Sequence, residues 1–285
     1  MYYKEWELLL VDDEADVLSI SKLAMKEFKV YGLPLKIHTA ESKAAALELL
    51  RRRPDIQFGL AVAFIDVVME SDTAGLELCQ YIREEMGNRL TQLFIRTGQP
   101  GVAPERAVID RYDINGYFTK AETTEDKLYS LVKSGVRQFL WGVYSLGTIT
   151  LLDNIIAVSD SREKVKQQFQ GMYDRTRAGA GRENEPLTPA FAMVGDEVLF
   201  LSSWDEKTAR DLVAKLNQQA GTPLGPTGDK YVTDEDNHLL IKVAAQPARA
   251  EFYWLSRTTF TPPEDIITLM KHAFVGLATV WQKAG

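Results

Sequence analysis

Five polar side chains in this sequence stand where they could do chemistry, each at the end of a short apolar run. Asp12 and Asp13 close the run Trp6 to Val11, and Asp66 closes Leu60 to Ile65. Thr97 follows the run Leu93 to Ile95 by two positions, and Lys120 follows Tyr117 to Thr119. Buried runs of this length, separated by helices, read as strands of a parallel sheet covered on both faces. In such an open sheet, ligands sit outside the carboxyl ends of the strands. Three carboxylates, a hydroxyl and an amine are therefore expected in one place. Clustered carboxylates repel one another unless a cation lies among them, and hard oxygen donors favour Mg2+. A lysine beside them pairs with a carboxylate and with any phosphoryl oxygen brought there. A threonine hydroxyl hydrogen-bonds the same group.

The elements that must position these residues alternate along the first ~125 positions, within the ordinary size range of one domain. Helical periodicity covers Val17 to Phe28, Ser42 to Arg53, Leu76 to Met86 and Glu105 to Tyr112, with a short extended stretch at Leu35 to Thr39. The expected architecture is (βα)5, a doubly wound α/β fold. Arg51, Arg52 and Arg53 read as a helix C-terminus complementing the macrodipole, with Pro54 as the stop, rather than as a nucleic-acid patch. Cys79, between Leu76, Leu78 and Ile82, reads as a core thiol.

Composition excludes several classes. Lys plus Arg is 33 and Asp plus Glu is 40, a net charge of −7, which argues against nucleic-acid binding through bulk positive charge. The 45% hydrophobic content can supply real cores and rules out disorder over the whole chain. A single cysteine excludes an internal disulfide framework and a multi-cysteine zinc site. His38, His238 and His272 lie far apart without ligand spacing. The apolar stretch Phe58 to Val68 is too short for a membrane span and is interrupted by Gly59 and Asp66. Met1 to Glu5 does not read as a signal peptide. The expectation is a soluble cytoplasmic protein without membrane partners.

Residues 5–125 resemble the receiver domain of bacterial two-component response regulators. Val11-Asp12-Asp13-Glu14 is similar to the acidic pair of that family, and Phe64-Ile65-Asp66-Val67-Val68-Met69 to its phosphoacceptor strand. Ile95-Arg96-Thr97-Gly98 resembles the switch-hydroxyl strand, and Tyr117-Phe118-Thr119-Lys120 the switch aromatic and the lysine. The resemblance implies that Asp66 accepts a phosphoryl group from a sensor histidine kinase or phosphotransfer protein. It implies Mg2+ held by Asp13, Asp66 and the Val68 carbonyl, with Asp12 acting through water. It implies that Lys120 stabilises a phosphoryl oxygen, that Thr97 moves toward the phosphate and that Tyr117 turns inward. One departure stands out: the usual proline after Met69 is Glu70, and the loop to Gly75 is longer. A narrower likeness runs through Arg96 to Gly101, Ala103 to Glu105, Tyr112 to Tyr117 and Thr119 to Glu122. It is to receivers followed by an uncharacterised domain and often by an HD-GYP cyclic-di-GMP phosphodiesterase. No His-Asp pair and no Gly-Tyr-Pro run occurs here, so no phosphodiesterase is expected.

From Thr124 the pattern changes to long-range helical periodicity through Ile156. Gly135, Gly142 and Gly147 weaken a single rigid rod by about 1 kcal/mol each relative to alanine. Val132, Val136, Phe139, Val143 and Leu146 alternate steps of four and three. That seam fits either a parallel coiled-coil homodimer or packing on the chain's own core. Gly179 to Thr188 reads as a loop. Ala190 to Val194 and Glu197 to Ser202 flank a Gly195-Asp196 hairpin turn. Thr208 to Gln219 is helical, Gly221 to Lys230 irregular, Leu239 to Ala245 and Glu251 to Arg257 extended, and Glu264 to Gln282 a closing helix. The expected organisation is a receiver at 1–125, connecting helices at 126–178 and an α+β domain with an antiparallel sheet at 179–285, resembling a GAF-type sensor. Trp204, Trp254 and Trp281 fill a core or line a pocket for an unknown small molecule. Asp234-Glu235-Asp236 reads as a solvated loop.

Overall fold

The computed structural model describes residues 3–53, 59–98, 105–178, 190–202, 204–225, 228–244 and 250–284. Pro54, Phe58, the Gln99 to Pro104 part of the motif and the 179–188 loop lie outside the described residues. The chain divides into two compact units, Lys4–Gly142 and Val143–Gly285 together with Met1–Tyr3. The division falls between Gly142 and Val143, inside one helix.

In the first unit, the apolar runs form β1 (Trp6–Val11), β4 (Leu60–Ile65) and β5 (Gln92–Thr97), every residue of which but Glu7 is buried. They are joined by β2 (Lys29–Val30), β3 (Leu33–Ala40) and β6 (Gly116–Thr119) in the order β2-β3-β1-β4-β5-β6. All pairings are parallel except β2 with β3. The short strand β2 is an addition to the expected (βα)5 pattern: Tyr31 and Gly32 adopt positive φ (51° and 80°) and fold a tight hairpin onto the sheet edge. Four helices connect the strands: α1 (Ala15–Ala24), α2 (Lys43–Arg52), α3 (Ala74–Gln80, continued by a π-helical turn at Tyr81–Glu85) and α4 (Glu105–Tyr112). Ser42 caps α2 by accepting the Ala45 N–H at 3.1 Å. Arg51 and Arg52 end it, as a macrodipole complement should. Cys79 is fully buried, and burial pushes its thiol up to about 12.

The helix α5 (Glu125–Ile156) runs 32 residues without a break. Its glycines do not loosen it. A Cβ on Gly135 would lie 2.7 Å from Val62 Cγ2 and 3.3 Å from the Phe94 ring, so the missing side chain lets the helix lie directly on β4 and β5. This decides between the two readings of the four–three seam. Val132, Val136 and Phe139 are fully buried, while Leu146 is 54% exposed. The first half of the seam is core of the chain's own first unit, and the coiled-coil reading is corrected there. By length and composition alone α5 could cross a membrane. Its Leu128, Val132, Val136, Phe139 and Leu140 are buried.

The second unit contains α6 (Arg162–Ala178), β7 (Phe191–Val194), β8 (Glu197–Leu201), α7 (Glu206–Asn217), β9 (Thr222–Pro223), β10 (Lys230–Thr233), β11 (His238–Ala244), β12 (Glu251–Arg257) and α8 (Glu264–Lys283). Its sheet is antiparallel, in the order β8-β7-β12-β11-β10-β9. Four strands were expected. The other two, β9 and β10, lie in or next to the glycine-rich segment read as irregular, because pairing of β10 with β11 and of β9 with β10 supplies the order that local propensity lacks. One sheet face packs Phe191, Leu240, Tyr253 and Leu255 with Ala209, Val213 and Leu216 of α7. Phe169, Phe252, Trp254 and Phe274 form a second aromatic cluster, with Trp254 stacked on Phe274 at 4.3 Å.

Truncating Phe139 to alanine should therefore lower the unfolding free energy by about 3–5 kcal/mol, as for a buried core aromatic. Urea unfolding at two protein concentrations measures this, and a loss that depends on concentration would assign Phe139 to an intermolecular seam instead.

Candidate functional site

Strand register gathers the site. Val11 pairs with Ile65, and Ile65 with Ile95, so the next residues of β1 and β4 emerge side by side. The Asp66 N–H donates to the Val11 carbonyl at 2.8 Å, which locks the two strand ends together. Strand β5 continues two residues further, and Thr97 pairs with Thr119, placing Lys120 next. Asp12 is 1% and Asp66 5% exposed, whereas Asp13 faces solvent. One carboxylate oxygen from each of Asp12, Asp13 and Asp66 lies within 4.8 Å of the others.

Lys120 is the centre of the arrangement. Its ammonium lies 3.0 Å from both Asp12 oxygens, 2.8 Å from Asp66 Oδ2 and 2.7 Å from Glu14 Oε1. Burial alone would depress its pKa, but the hydrogen bonds to Asp66, Glu14 and Asp12 outweigh this and raise it. Burial is the largest influence on Asp12 and lifts its carboxyl above the ordinary range, against the opposing pull of Lys120. Asp66 Oδ1 accepts the Val67 N–H at 2.7 Å, and the Glu14 N–H donates to Asp12 Oδ1 at 3.1 Å. Asp12 Oδ2 is buried and, although 3.0 Å from the Lys120 ammonium, accepts no well-directed hydrogen bond. Three hard oxygen donors within 4.8 Å of one another fit a divalent cation of the Mg2+ type.

All the residues expected from sequence at this end of the sheet are there. Thr97 is fully buried at the end of β5. Tyr117 packs partly buried against the core with its hydroxyl buried. Val68 packs partly buried against the same core. The Glu70 departure has a physical account: its carboxylate accepts the Lys43 and Ala44 N–H groups at 3.1 and 3.2 Å, capping the start of α2. Gly75 is fixed by close approach, since a Cβ there would fall 1.8 Å from the Asp66 carbonyl oxygen.

Sequence reasoning missed two members of the site. Glu14 was quoted but given no role. Arg96 was read only as a strand end, yet it is 6% exposed, donates from Nη1 to Ser21 Oγ at 2.8 Å and holds Nη2 3.7 Å from Asp12 Oδ2. The available signal was a charge abutting the buried run Leu93 to Ile95, which requires a buried counter-charge.

In the second unit the structure separates the tryptophans. Trp254 and Trp281 are core. Trp204 lines a cavity of ≈ 420 Å³ with Asp205, Thr208, Leu212, His238 and Arg257. Asp234 is not simply solvated: it accepts the His238 N–H at 2.8 Å and pairs with the imidazole Nδ1 at 2.9 Å.

The order of the five parallel strands, once the β2 hairpin is set aside, is 2-1-3-4-5 of the doubly wound class. With the acidic pair, the strand-end aspartate and the lysine in place, the first unit has the fold of a response-regulator receiver domain. No protein-family model matches the chain. A 3'3'-cGAMP-specific phosphodiesterase 2 from Vibrio cholerae serotype O1 is 43% identical over 134 residues, covering 47% of this chain. The chain spans only 25% of the length of that relative. Two solved structures are similar over the same share. One is a response regulator receiver domain protein from Clostridium thermocellum, at 17% identity and TM-score 0.38, covering 46% of this chain and 94% of that one. The other is the signal receiver domain of an HD domain-containing protein from Pseudomonas fluorescens Pf-5, at 19% identity and TM-score 0.40, covering 49% and 92%.

Replacing Gly75 by alanine should cost at least about 1–3 kcal/mol, because the Asp66 backbone must move to admit the methyl group. Gly59, where a Cβ meets nothing within 4 Å, is the control. Equal unfolding midpoints for the two alanine variants would show that the Gly75 approach carries no constraint.

Proposed function

We propose that this chain is a phosphorylation-controlled regulator of a two-component phosphorelay, with Asp66 as phosphoacceptor. The carrying observation is the buried Asp66 carboxylate, held by Lys120 at 2.8 Å beside Asp12 and Asp13. Asp66 attacks a phosphoryl group carried on a histidine of a sensor kinase or phosphotransfer protein. The new P–O bond forms as the P–N bond breaks, and the imidazole leaves with its electron pair. Lys120 exchanges a carboxylate contact for a phosphoryl oxygen, and the Thr97 hydroxyl hydrogen-bonds the same group. Mg2+ held by Asp12, Asp13, Asp66 and the Val68 carbonyl would offset the charge gathered on the phosphoryl oxygens. Residues 1–125 act as the phosphoacceptor part, 126–178 as the connection and 179–285 as a GAF-like, non-enzymatic sensor or adaptor. Output is through dimerisation or protein–protein interaction in the cytoplasm.

A second reading is favoured by two observations. The match to the Vibrio cholerae phosphodiesterase supports a regulatory half for a cyclic-dinucleotide signalling enzyme whose catalytic part is elsewhere. The Trp204 cavity supports a small-molecule site in the second unit, with a nucleotide or metabolite as ligand. Thermal shifts of the full chain with nucleotides separate this from the first reading, because a ligand bound to the folded state raises its stability.

Incubation with Mg2+ and a small phosphodonor should add one phosphoryl group, and Asp66→Asn should remove that site. Intact mass reads both, and an adduct that persists in Asp66→Asn would move the phosphoacceptor elsewhere.

The lifetime of the adduct is a separate matter. Hydrolysis needs a water in line with the Asp66 leaving oxygen, and the apolar Val68 side chain offers it no hydrogen bond. Val68→Asn should change the decay rate by up to about tenfold, roughly 1.4 kcal/mol in the barrier. Decay of the phosphorylated mass after donor removal measures this, and identical rates would release Val68 from the role.

A further inference from the structure

Arg96 brings a second cation to the acidic site. Glu14, Asp12, Asp13 and Asp66 supply four carboxylates, and Lys120 touches three of them. Arg96 Nη2 stands 3.7 Å from the Asp12 Oδ2 oxygen that accepts no well-directed hydrogen bond. The guanidinium is not a mobile surface group. It is 6% exposed, and Nη1 is tied at 2.8 Å to Ser21 Oγ, whose own hydroxyl donates to the Val17 carbonyl of α1 at 2.6 Å. A charge so fixed, in a strand end with little water, acts on its neighbours with little screening by salt.

We infer that Arg96 sets the divalent-cation affinity of this site through its charge, holding it below what the carboxylates alone would give. This rests on the reading of Asp12, Asp13 and Asp66 as the cation site. The sign follows from the contacts. Asp12 is already fixed by Lys120 on both oxygens and by the Glu14 N–H, so its place does not depend on Arg96. What Arg96 adds is one unit of positive charge 3.7 Å from Asp12 Oδ2, beside the carboxylate cluster. That charge opposes an incoming cation and supports Asp12 and Asp66 as a buried pair when no cation is present. Weak resting affinity leaves cation binding coupled to arrival of the phosphoryl group, whose negative charge favours both.

The test is calorimetric titration of the full chain with Mg2+ alone. Arg96→Met, close in length but uncharged, should bind Mg2+ about tenfold more tightly than the wild type, as loss of a nearby unit charge at low effective dielectric requires. Arg96→Lys restores the charge and should stay near the wild type. Ser21→Ala removes the tether but not the charge and should change affinity by less than about twofold on the same argument. If Arg96→Met does not fold, Arg96→Gln, which keeps a donor for Ser21, carries the same expectation. Unchanged or weaker binding in the neutral variant, with Asp66→Asn still abolishing binding, overturns the role of Arg96 alone. A wild type that binds no Mg2+, or binding that survives Asp66→Asn, overturns the cation site and this inference with it.

Discussion

One ammonium group holds the first unit's open end together. Parallel register makes the ends of β1 and β4 coincide, so Asp12 and Asp66 are brought side by side by the same hydrogen bonds that build the sheet. Two buried carboxylates at that distance repel strongly where water is scarce. Lys120 resolves the conflict by contacting both, and Glu14 as well. A buried pair of this kind contributes little net stability, yet loss of one partner leaves an uncompensated charge at a cost of several kcal/mol. The site is therefore poised: its charges are satisfied only while each partner stays, or while another cation or anion takes a partner's place.

The scaffold around it is rigid where the chemistry needs rigidity. The strands are buried on both faces, α5 seals β4 and β5 through Gly135, and Gly75 presses its backbone onto Asp66. The loop after Asp66 is tied to α2 by Glu70, whose carboxylate sits below its usual range because the backbone N–H bonds outweigh partial desolvation. A movement of this loop would thus be felt at the start of α2, and a movement of Asp12 at α1 through Arg96 and Ser21. These are contiguous polar links from the charged site to α1 and α2.

The second unit is built on a different principle. Its antiparallel sheet carries α7 on one face and an aromatic cluster around Trp254, and its polar side chains pair both locally, as Asp234 does with His238, and at long range, as Arg162 does with Glu197. Tyr3, from the chain's start, belongs with this unit: its ring packs on Phe260, and its carbonyl accepts from the Thr259 hydroxyl. The Trp204 recess beside α7 has an aromatic wall and a few polar groups.

The strands and the residues at their ends were legible in the sequence because buried parallel strands are written as short, mainly apolar runs and the polar residue that stops each run marks the open end. Asp12, Asp13, Asp66, Thr97 and Lys120 could be named from that pattern alone. Where long-range pairing overrode weak local signals, the sequence was silent: β2 depends on a two-residue turn, β10 on β11 and β9 on β10. The seam of α5 was ambiguous because a four–three apolar pattern is the same whether it faces a partner helix or a sheet. Only the position of β4 and β5 beneath Gly135 decided it. Arg96 shows the limit most clearly. Its charge was visible, but its partners Ser21 and Asp12 lie 75 and 84 residues away in the chain. Which carboxylate a buried guanidinium meets is a property of three-dimensional packing, and no local spacing encodes it.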